Sequence, residues 1–238
     1  DFPDGTLTIN RTGVETGVVN LSGSMTFYVP FVLQAGTFNL DTYTLDVMNS
    51  FTLSCGTFNA GTGTVVFYGG ANLTVTRAIS ITGAAQFNNV TFYLYDSNSS
   101  VFASTFNITG GLNVGGTLAF TWYDNGCAGC SDDSMYINGA IYAKGNVTGT
   151  MPRVYGTATI TLDGTGAQTI GPVSDIPDGT FTINKTSGIA SLASNFTLNG
   201  SGQDLTVTLG TLDLAGYNLS IPDALTVGAS GTLKLRGS

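Results

Sequence analysis

The sequence contains no histidine, a single glutamate and three lysines, so charged side chains are scarce along its 238 residues. They make up 9% of the chain, against roughly 25% in an average soluble domain. Without histidine, neither a Ser-His-Asp triad nor a Cys-His pair can be built within the chain. Seven scattered lysines and arginines in a chain of net charge −8 form no basic patch, which argues against a nucleic-acid partner.

Long apolar runs and helix-forming residues are also missing. No segment approaches the roughly 18 apolar residues of a membrane span, so we expect none, and no signal-peptide pattern opens the chain. Threonine, valine, glycine and asparagine dominate instead, and these residues favour strands and the turns between them. The 42% apolar content argues against disorder. The composition therefore predicts an all-β protein.

A long internal repeat organises the chain. Residues 1–12 (DFPDGTLTINRT) return 174 positions later as 175–186 (DIPDGTFTINKT), and 36–47 match 210–221 at the same offset. A fixed period is the mark of a repeat architecture. We therefore expect one module over 1–238, with 1–64 equivalent to 175–238. Such a module is one cell of an array that continues along its own chain or into another subunit.

Short alternating runs separated by glycine, asparagine and aspartate predict strands with one buried face. A Gly-Thr signature recurs at a nearly constant step, from Gly36 to Gly56 and again from Gly210 to Gly231. This step favours a parallel β-helix with rungs of about 22 residues, about eight of them in the 174-residue period. Its inward side chains would stack in continuous apolar columns. A pilin-like β-sandwich, which also explains the alternation, is the alternative.

One segment breaks the pattern. Residues 115–123 look like a rung that leads into an excursion over 119–153, which holds the only tryptophan and two of the three cysteines. Loops on a repetitive scaffold often carry function. The competing interpretation is a connection between rungs with its own small apolar cover.

Three stretches have a similar residue pattern, namely 56–65 (GTFNAGTGTV), 164–170 (GTGAQTI) and 210–219 (GTLDLAGYNL). They resemble the repeats of large secreted prokaryotic surface proteins, similar to autotransporter and filamentous-haemagglutinin-type β-helix adhesins. The likeness covers most of the chain outside residues 119–153. It implies a long extracellular or cell-surface stalk or fibre, and it implies no particular ligand.

Asn-x-Ser/Thr sequons are unusually dense, at eleven of the eighteen asparagines. They predict N-linked glycans, which would supply the missing surface hydrophilicity. The alternative is that asparagine ends one strand where threonine begins the next. The candidate sites are Asn10, Asn20, Asn72, Asn89, Asn98, Asn107, Asn146, Asn184, Asn195, Asn199 and Asn218.

The two close cysteines, Cys127 and Cys130, predict a disulfide that staples a loop in an oxidising compartment. A redox pair and half of a zinc site are the alternatives. Cys55 aligns with Ala229 in the repeat, so we expect it in an inward column; an intersubunit bridge is the other option.

Oxygen-bearing side chains surround the cysteine pair. Clustered carboxylates and amides suit Ca²⁺, although a solvated acidic loop explains them equally. We expect no other cofactor. The calcium candidates are Asp124, Asn125, Asp132 and Asp133.

Three functions are compatible with these features. The chain is expected to be a non-enzymatic structural subunit or segment of an extracellular filament, surface stalk or matrix, assembling with itself by head-to-tail stacking of β edges. An adhesin stalk that binds a host or surface glycan is the first alternative. A β-helical polysaccharide-active enzyme is the second, but most aspartates stand in turns such as 177–179, where the side chain caps the backbone.

Overall fold

The computed structural model describes residues 5–11, 17–70, 74–96, 101–124 and 133–235. Within these ranges the regular structure is entirely β, and every strand ladder is parallel. Each strand pairs with the equivalent strand one coil later, which is the defining geometry of a parallel β-solenoid. The predicted β-helix is confirmed, and the sandwich alternative is wrong.

The strands are short and follow one another closely, because glycine and asparagine turns interrupt every run. The first thirteen are β1 (Leu7–Asn10), β2 (Val18–Asn20), β3 (Met25–Phe27), β4 (Phe31–Ala35), β5 (Thr37–Asn39), β6 (Thr44–Val47), β7 (Phe51–Leu53), β8 (Thr57–Asn59), β9 (Thr64–Tyr68), β10 (Val75–Ile81), β11 (Gln86–Phe87), β12 (Asn89–Asp96) and β13 (Ala103–Thr109). The remaining thirteen are β14 (Leu112–Val114), β15 (Leu118–Asp124), β16 (Ser134–Asn138), β17 (Ala140–Ala143), β18 (Val147–Gly149), β19 (Val154–Tyr155), β20 (Thr159–Leu162), β21 (Gln168–Val173), β22 (Phe181–Leu192), β23 (Phe196–Thr197), β24 (Leu205–Asp213), β25 (Leu219–Ser220) and β26 (Leu225–Lys234).

Three faces wind around one core. The first face is the sheet β1-β4-β7-β10-β13-β16-β19. In the later coils, the two-stranded sheet β23-β25 takes the place of this sheet on the first face. The second face begins with β2-β5-β8 and continues with β11-β14-β17-β20, and the third runs β3-β6-β9-β12-β15-β18-β21. The long strands β22, β24 and β26 turn the corner and serve both the second and third faces, so that β22 pairs with β20 and with β21.

The length of a coil varies while the ladders stay in register. The coils from Phe31 to its partner Phe51 and from Met135 to its partner Val154 are short. The coil from Phe106 to its partner Ile137 contains many more residues. The predicted step of about 22 residues, a usual rung length for repeats of this kind, is therefore a central value. The additional residues lie between strands in the sequence, where no position has to keep the register of a ladder.

Phenylalanines fill the core in columns. Phe31 stacks on Phe51 with ring centroids 5.1 Å apart, and Phe38 stacks on Phe58 at 5.9 Å. Alternation produces this arrangement, because the period of two in a strand sends every second side chain inward and parallel register places equal positions above each other. Offset and edge-to-face ring pairs add about 0.5–1.5 kcal/mol each beyond the burial itself.

The excursion expected over 119–153 is much shorter than the sequence suggested. Strands β15, β16, β17 and β18 run through this range and pair with their neighbours in the normal ladders. The alternation there is masked by small or flexible inward residues such as Ala143 and Met135, both fully buried. Residues 125–132 lie outside the described ranges.

The two copies of the long repeat occupy different faces. Leu7 lies in β1 on the first face, whereas Phe181, its counterpart, pairs through β22 on the second face. Thr37 lies on the second face and Thr211 on the third. The copies are thus related by whole coils plus one further face. Because every face needs the same inward alternation, a segment fits equally well after such a rotation.

Candidate assembly surface and predicted sites

The last coil leaves its inward column exposed. Leu225 and Val227 pair with Leu205 and Val207, which are fully buried, yet both are 44% exposed themselves. They continue the apolar columns but have no described residue above them. Among the described strands, β26 pairs with β24 alone, so its other backbone edge is open. An open edge next to exposed apolar side chains is a template for another strand.

The first coil is open in the same way. An apolar cavity of about 440 Å³ lies there, lined by Leu7, Ile9, Val19, Met25 and Phe27 among others. Met25 is 37% exposed although its partner Leu45, one coil further on, is fully buried. Within the described residues, β1, β2 and β3 each pair on one side only. In the described part of the chain, both end surfaces therefore combine strand edges that lack a partner with exposed apolar side chains.

Most described sequons lie at exposed strand ends. Asn20, Asn107, Asn146 and Asn195 accept hydrogen bonds at Oδ1, at distances between 2.6 and 3.0 Å. These bonds leave Nδ2, the atom that carries a glycan, outside the interaction. The other exposed sequon asparagines of this group are Asn10, Asn184 and Asn218.

Two sequons differ from this pattern, and two others cannot be placed. Asn89 is half-buried and its Nδ2 donates to Thr64 Oγ1 at 3.4 Å. Asn199 is exposed, but its side chain bonds the carboxylate of Asp175. Asn72 and Asn98 lie outside the described residues. Asparagine in this fold thus has a structural use as well, which is the alternative that the sequence left open.

The cysteine and calcium predictions fall largely outside the described part of the chain. Cys127, Cys130, Asn125, Asp132 and the side chain of Asp124 are not described, so the disulfide and the calcium site stay predictions. Asp133 is described and almost fully buried, and its Oδ1 accepts the amide N–H of Phe102 at 2.9 Å. Among the described residues, no three carboxylate or thiol side chains cluster as metal ligands would.

Cys55 does not lie in an inward column as its alignment predicted. It is exposed at the corner between β7 and β8, beside an open cavity of about 820 Å³. The inward alternation of β7 ends at Leu53, and the chain turns outward before β8 begins. Its repeat counterpart Ala229 is exposed too, beside the register shift between β24 and β26, so the alignment pointed to an outward position in both copies.

The acidic residues Asp175 and Asp178 act on the neighbouring coil. The carboxylate of Asp175 accepts the amides of Val154 at 2.9 Å and Ile176 at 3.0 Å, and Asp178 accepts the amide of Gly156 at 3.3 Å. Burial raises the pKa of Asp175 to about 6, with a further contribution from the charge of Asp178, while the backbone hydrogen bonds oppose the rise. Both carboxylates thus cap backbone amides, but mainly those of the preceding coil and not the amide two residues on that turn chemistry predicted.

A row of tyrosines on the third face was not foreseen. Tyr68 and Tyr93 are paired in register with ring centroids 4.9 Å apart, and Tyr95 stacks on Tyr123 at 5.5 Å. The offset from Tyr68 to Tyr93 and the offset from Tyr95 to Tyr123 are each close to one coil. Both coils are longer than the predicted rung, so aligning the tyrosines at the predicted period would have missed this row.

No protein-family model matches the chain, and no curated protein or solved structure matches it. Within the described residues, no helix is long and apolar enough to cross a membrane.

Proposed function

We propose that the chain is a structural segment of an extracellular filament, surface stalk or matrix, built by head-to-tail stacking of β edges. The observation that supports this proposal is the exposed core at the last described coil, where Leu225 and Val227 continue buried columns and no described residue covers them. Burying a Val or Leu side chain stabilises by about 1.5–3 kcal/mol, so an incomplete coil favours the arrival of another. Each added coil lengthens the object by about 4.8 Å.

The geometry of the contact is head-to-tail. The two ends differ in sequence, so the edges of β25 and β26 on one copy would meet the edges of β1, β2 and β3 on the next. A heterologous contact of this kind grows into a filament when it does not close into a ring. All three faces present the same alternation of inward and outward side chains, as the one-face rotation between the repeat copies indicates. One copy could therefore stack on the next in more than one rotational orientation about the solenoid axis.

A surface with few charges agrees with an extracellular setting. Exposed threonines and asparagines line the faces, and N-linked glycans on the sequons with an unengaged Nδ2 would add hydration. We propose Asn20, Asn107, Asn146 and Asn195 as the glycan carriers, and expect Asn89 and Asn199 to stay unmodified.

Electron microscopy and sedimentation of the purified chain test the proposal directly. Fibres with a cross-β repeat of about 4.8 Å along their length are the expected result. A chain that stays monomeric at high concentration contradicts assembly from separate copies. Peptide mass spectrometry of the native material reports which of the sequons carry glycans.

A further inference from the structure

The tyrosine row lines a groove on the third face that the stacking function does not use. The groove has a volume of about 570 Å³ and is lined by Tyr28, Met48, Tyr68, Gly69, Arg77, Tyr93 and Tyr95. Tyr68 is in register with Tyr93, and Met48 and Tyr28 follow the residues paired in the two preceding coils. Four coils thus contribute one outward column, roughly 14 Å long at the strand spacing.

The rings of this column are accessible. Tyr28 is 71% exposed and Tyr68 and Tyr93 are half-buried, and Tyr95, which lies beside the column in the groove, is 36% exposed. Burial raises the pKa of Tyr68 and of Tyr93 above the usual value of 10, with Asp46 adding to the effect at Tyr68. Both phenols therefore carry their proton at neutral pH and can donate hydrogen bonds. A flat apolar ring with a polar edge suits ligands that present C–H faces and hydroxyl groups together.

Arg77 gives the groove its charge. It alternates with the buried residues Ile79 and Ile81 on β10, so its side chain starts inside the coil and reaches the groove at the corner. Its Nη2 makes one long hydrogen bond, to Gly69 O at 3.5 Å, and its Nε is shielded from solvent without a partner. Burial lowers the pKa of Arg77, and no described carboxylate pairs with it.

A half-buried guanidinium that has no counter-ion among the described residues is costly, since a charge removed from water is normally paired. Nothing in the stacking of coils requires it, because an apolar residue in its place would pack at least as well. The cost is offset when an anionic group docks beside it. Among anions, a planar carboxylate matches the guanidinium fork well.

We propose that the groove binds a carboxylated glycan, with sugar rings on the tyrosine column and a uronate carboxylate on Arg77. The proposal is independent of the stacking function, because it concerns the side of the solenoid and not its ends. The nearby Asp46 on β6 accepts a hydrogen bond from Thr26 at 3.4 Å, so its carboxylate is engaged within the sheet. The net charge of −8 repels acidic polymers at long range, and salt near 0.15 M screens it beyond about 8 Å.

The test is titration calorimetry at 0.15 M salt with oligosaccharides of galacturonate, mannuronate and hyaluronate type. Methyl-esterified oligogalacturonate is the matched neutral ligand, and a sulfated galactan is the competing anion. At least one uronate series is expected to bind, with the ester and the sulfated chain at least tenfold weaker. Absence of binding to every uronate overturns the proposal, and so does equal binding of the ester or better binding of the sulfated chain.

Variants separate a ligand role from a structural one. Arg77→Met is expected to lower uronate affinity by about 10-fold or more, the equivalent of a charged hydrogen bond of about 1.5–3 kcal/mol. It should leave the unfolding midpoint unchanged or higher, because an unpaired buried charge is removed. Tyr68→Ala should also weaken binding, whereas Tyr217→Ala, an exposed tyrosine outside the groove, should not. Unchanged affinity in folded Arg77→Met contradicts the assignment.

Discussion

At the residue scale, Lys185 stabilises the corner between β20 and β21 through hydrogen bonds from its ammonium group. Its Nζ donates to Gly164 O, to Gly166 O at 2.9 Å and to Gln168 Oε1. Lys185→Met would leave these acceptors without a donor in a buried site, at a cost of about 1–3 kcal/mol. We expect a clear fall in the denaturant midpoint, measured by circular dichroism.

The control for this prediction is Lys144→Met. Lys144 is exposed and donates to Gln86 Oε1 at 3.2 Å, so its loss should cost less than about 0.5 kcal/mol. Equal midpoints for the two variants would mean that the buried lysine contributes nothing to the corner.

Asp175 makes stability depend on pH. Its folded pKa, about 6, lies above the unfolded value near 3.8, so the native state binds the proton more tightly. The resulting stabilisation is complete below pH 3.8 and is lost as the pH rises through 6. Urea unfolding should therefore show greater stability at pH 5 than at pH 7.5. Acidification also reduces the repulsion between the negative charges of the chain, which stabilises in the same direction, so the Asp175→Asn variant is the control. It should reduce the stability difference between pH 5 and pH 7.5. If the difference is undiminished in this variant, other groups cause it.

Alternation predicted most inward side chains but missed the buried charged ones. Ala158, Ile160 and Leu162 alternate in sequence and are buried as expected. Lys185 is buried as well, although its repeat counterpart Arg11 is exposed. The difference follows from the one-face rotation, which places Lys185 at a corner where three oxygen atoms converge. Alternation does not reveal such a site, because it depends on how corner residues are brought together in space.

At the element scale, strand type and the mean coil length could be predicted, and the boundaries of irregular coils could not. The Gly-Thr spacing predicted the step correctly where corners are short. It failed where Phe106 pairs with Ile137, because a corner can lengthen without disturbing either ladder. The predicted excursion over 119–153 was an overestimate, because small or flexible inward residues such as Ala143 and Met135 hide the alternation there.

Ladders of hydrogen-bonded asparagines explain part of the high asparagine content, which the sequon pattern did not reveal. Asn39 donates to Asn20 Oδ1 at 2.6 Å, and Asn59 donates to Asn39 Oδ1 at 2.7 Å. In such a ladder, the side-chain amides of successive coils form hydrogen bonds with each other at the same corner, as stacked amides do in cross-β structures. Asn39 and Asn59 are not sequons at all, so the density of asparagine has a structural cause beside any glycosylation. The tyrosine row follows the same rule, since equal side chains repeat where coils are in register.

At the scale of the whole molecule, the solenoid is a one-dimensional array whose stability is a sum of coils and the contacts between them. Interior coils are covered on both sides, while the first and last described coils are covered on one. The described surfaces with the least cover are thus the ones through which the proposed assembly would take place. This connects the fold to the proposed assembly without any dedicated binding loop.

The assembly can be tested by a charge placed on that surface. Val227→Lys puts an ammonium group on the exposed end of an apolar column, where a second copy would have to bury it. Fibre formation should fall by at least tenfold, because burying an unpaired charge costs several kcal/mol. Stability of the single chain should change little, since Val227 is already 44% exposed. Thr226→Lys adds the same charge at the neighbouring position, on the outward side of β26, and should still assemble. If both variants form fibres as the unmodified chain does, copies do not meet at this end; if both fail, net charge and not the apolar column controls association.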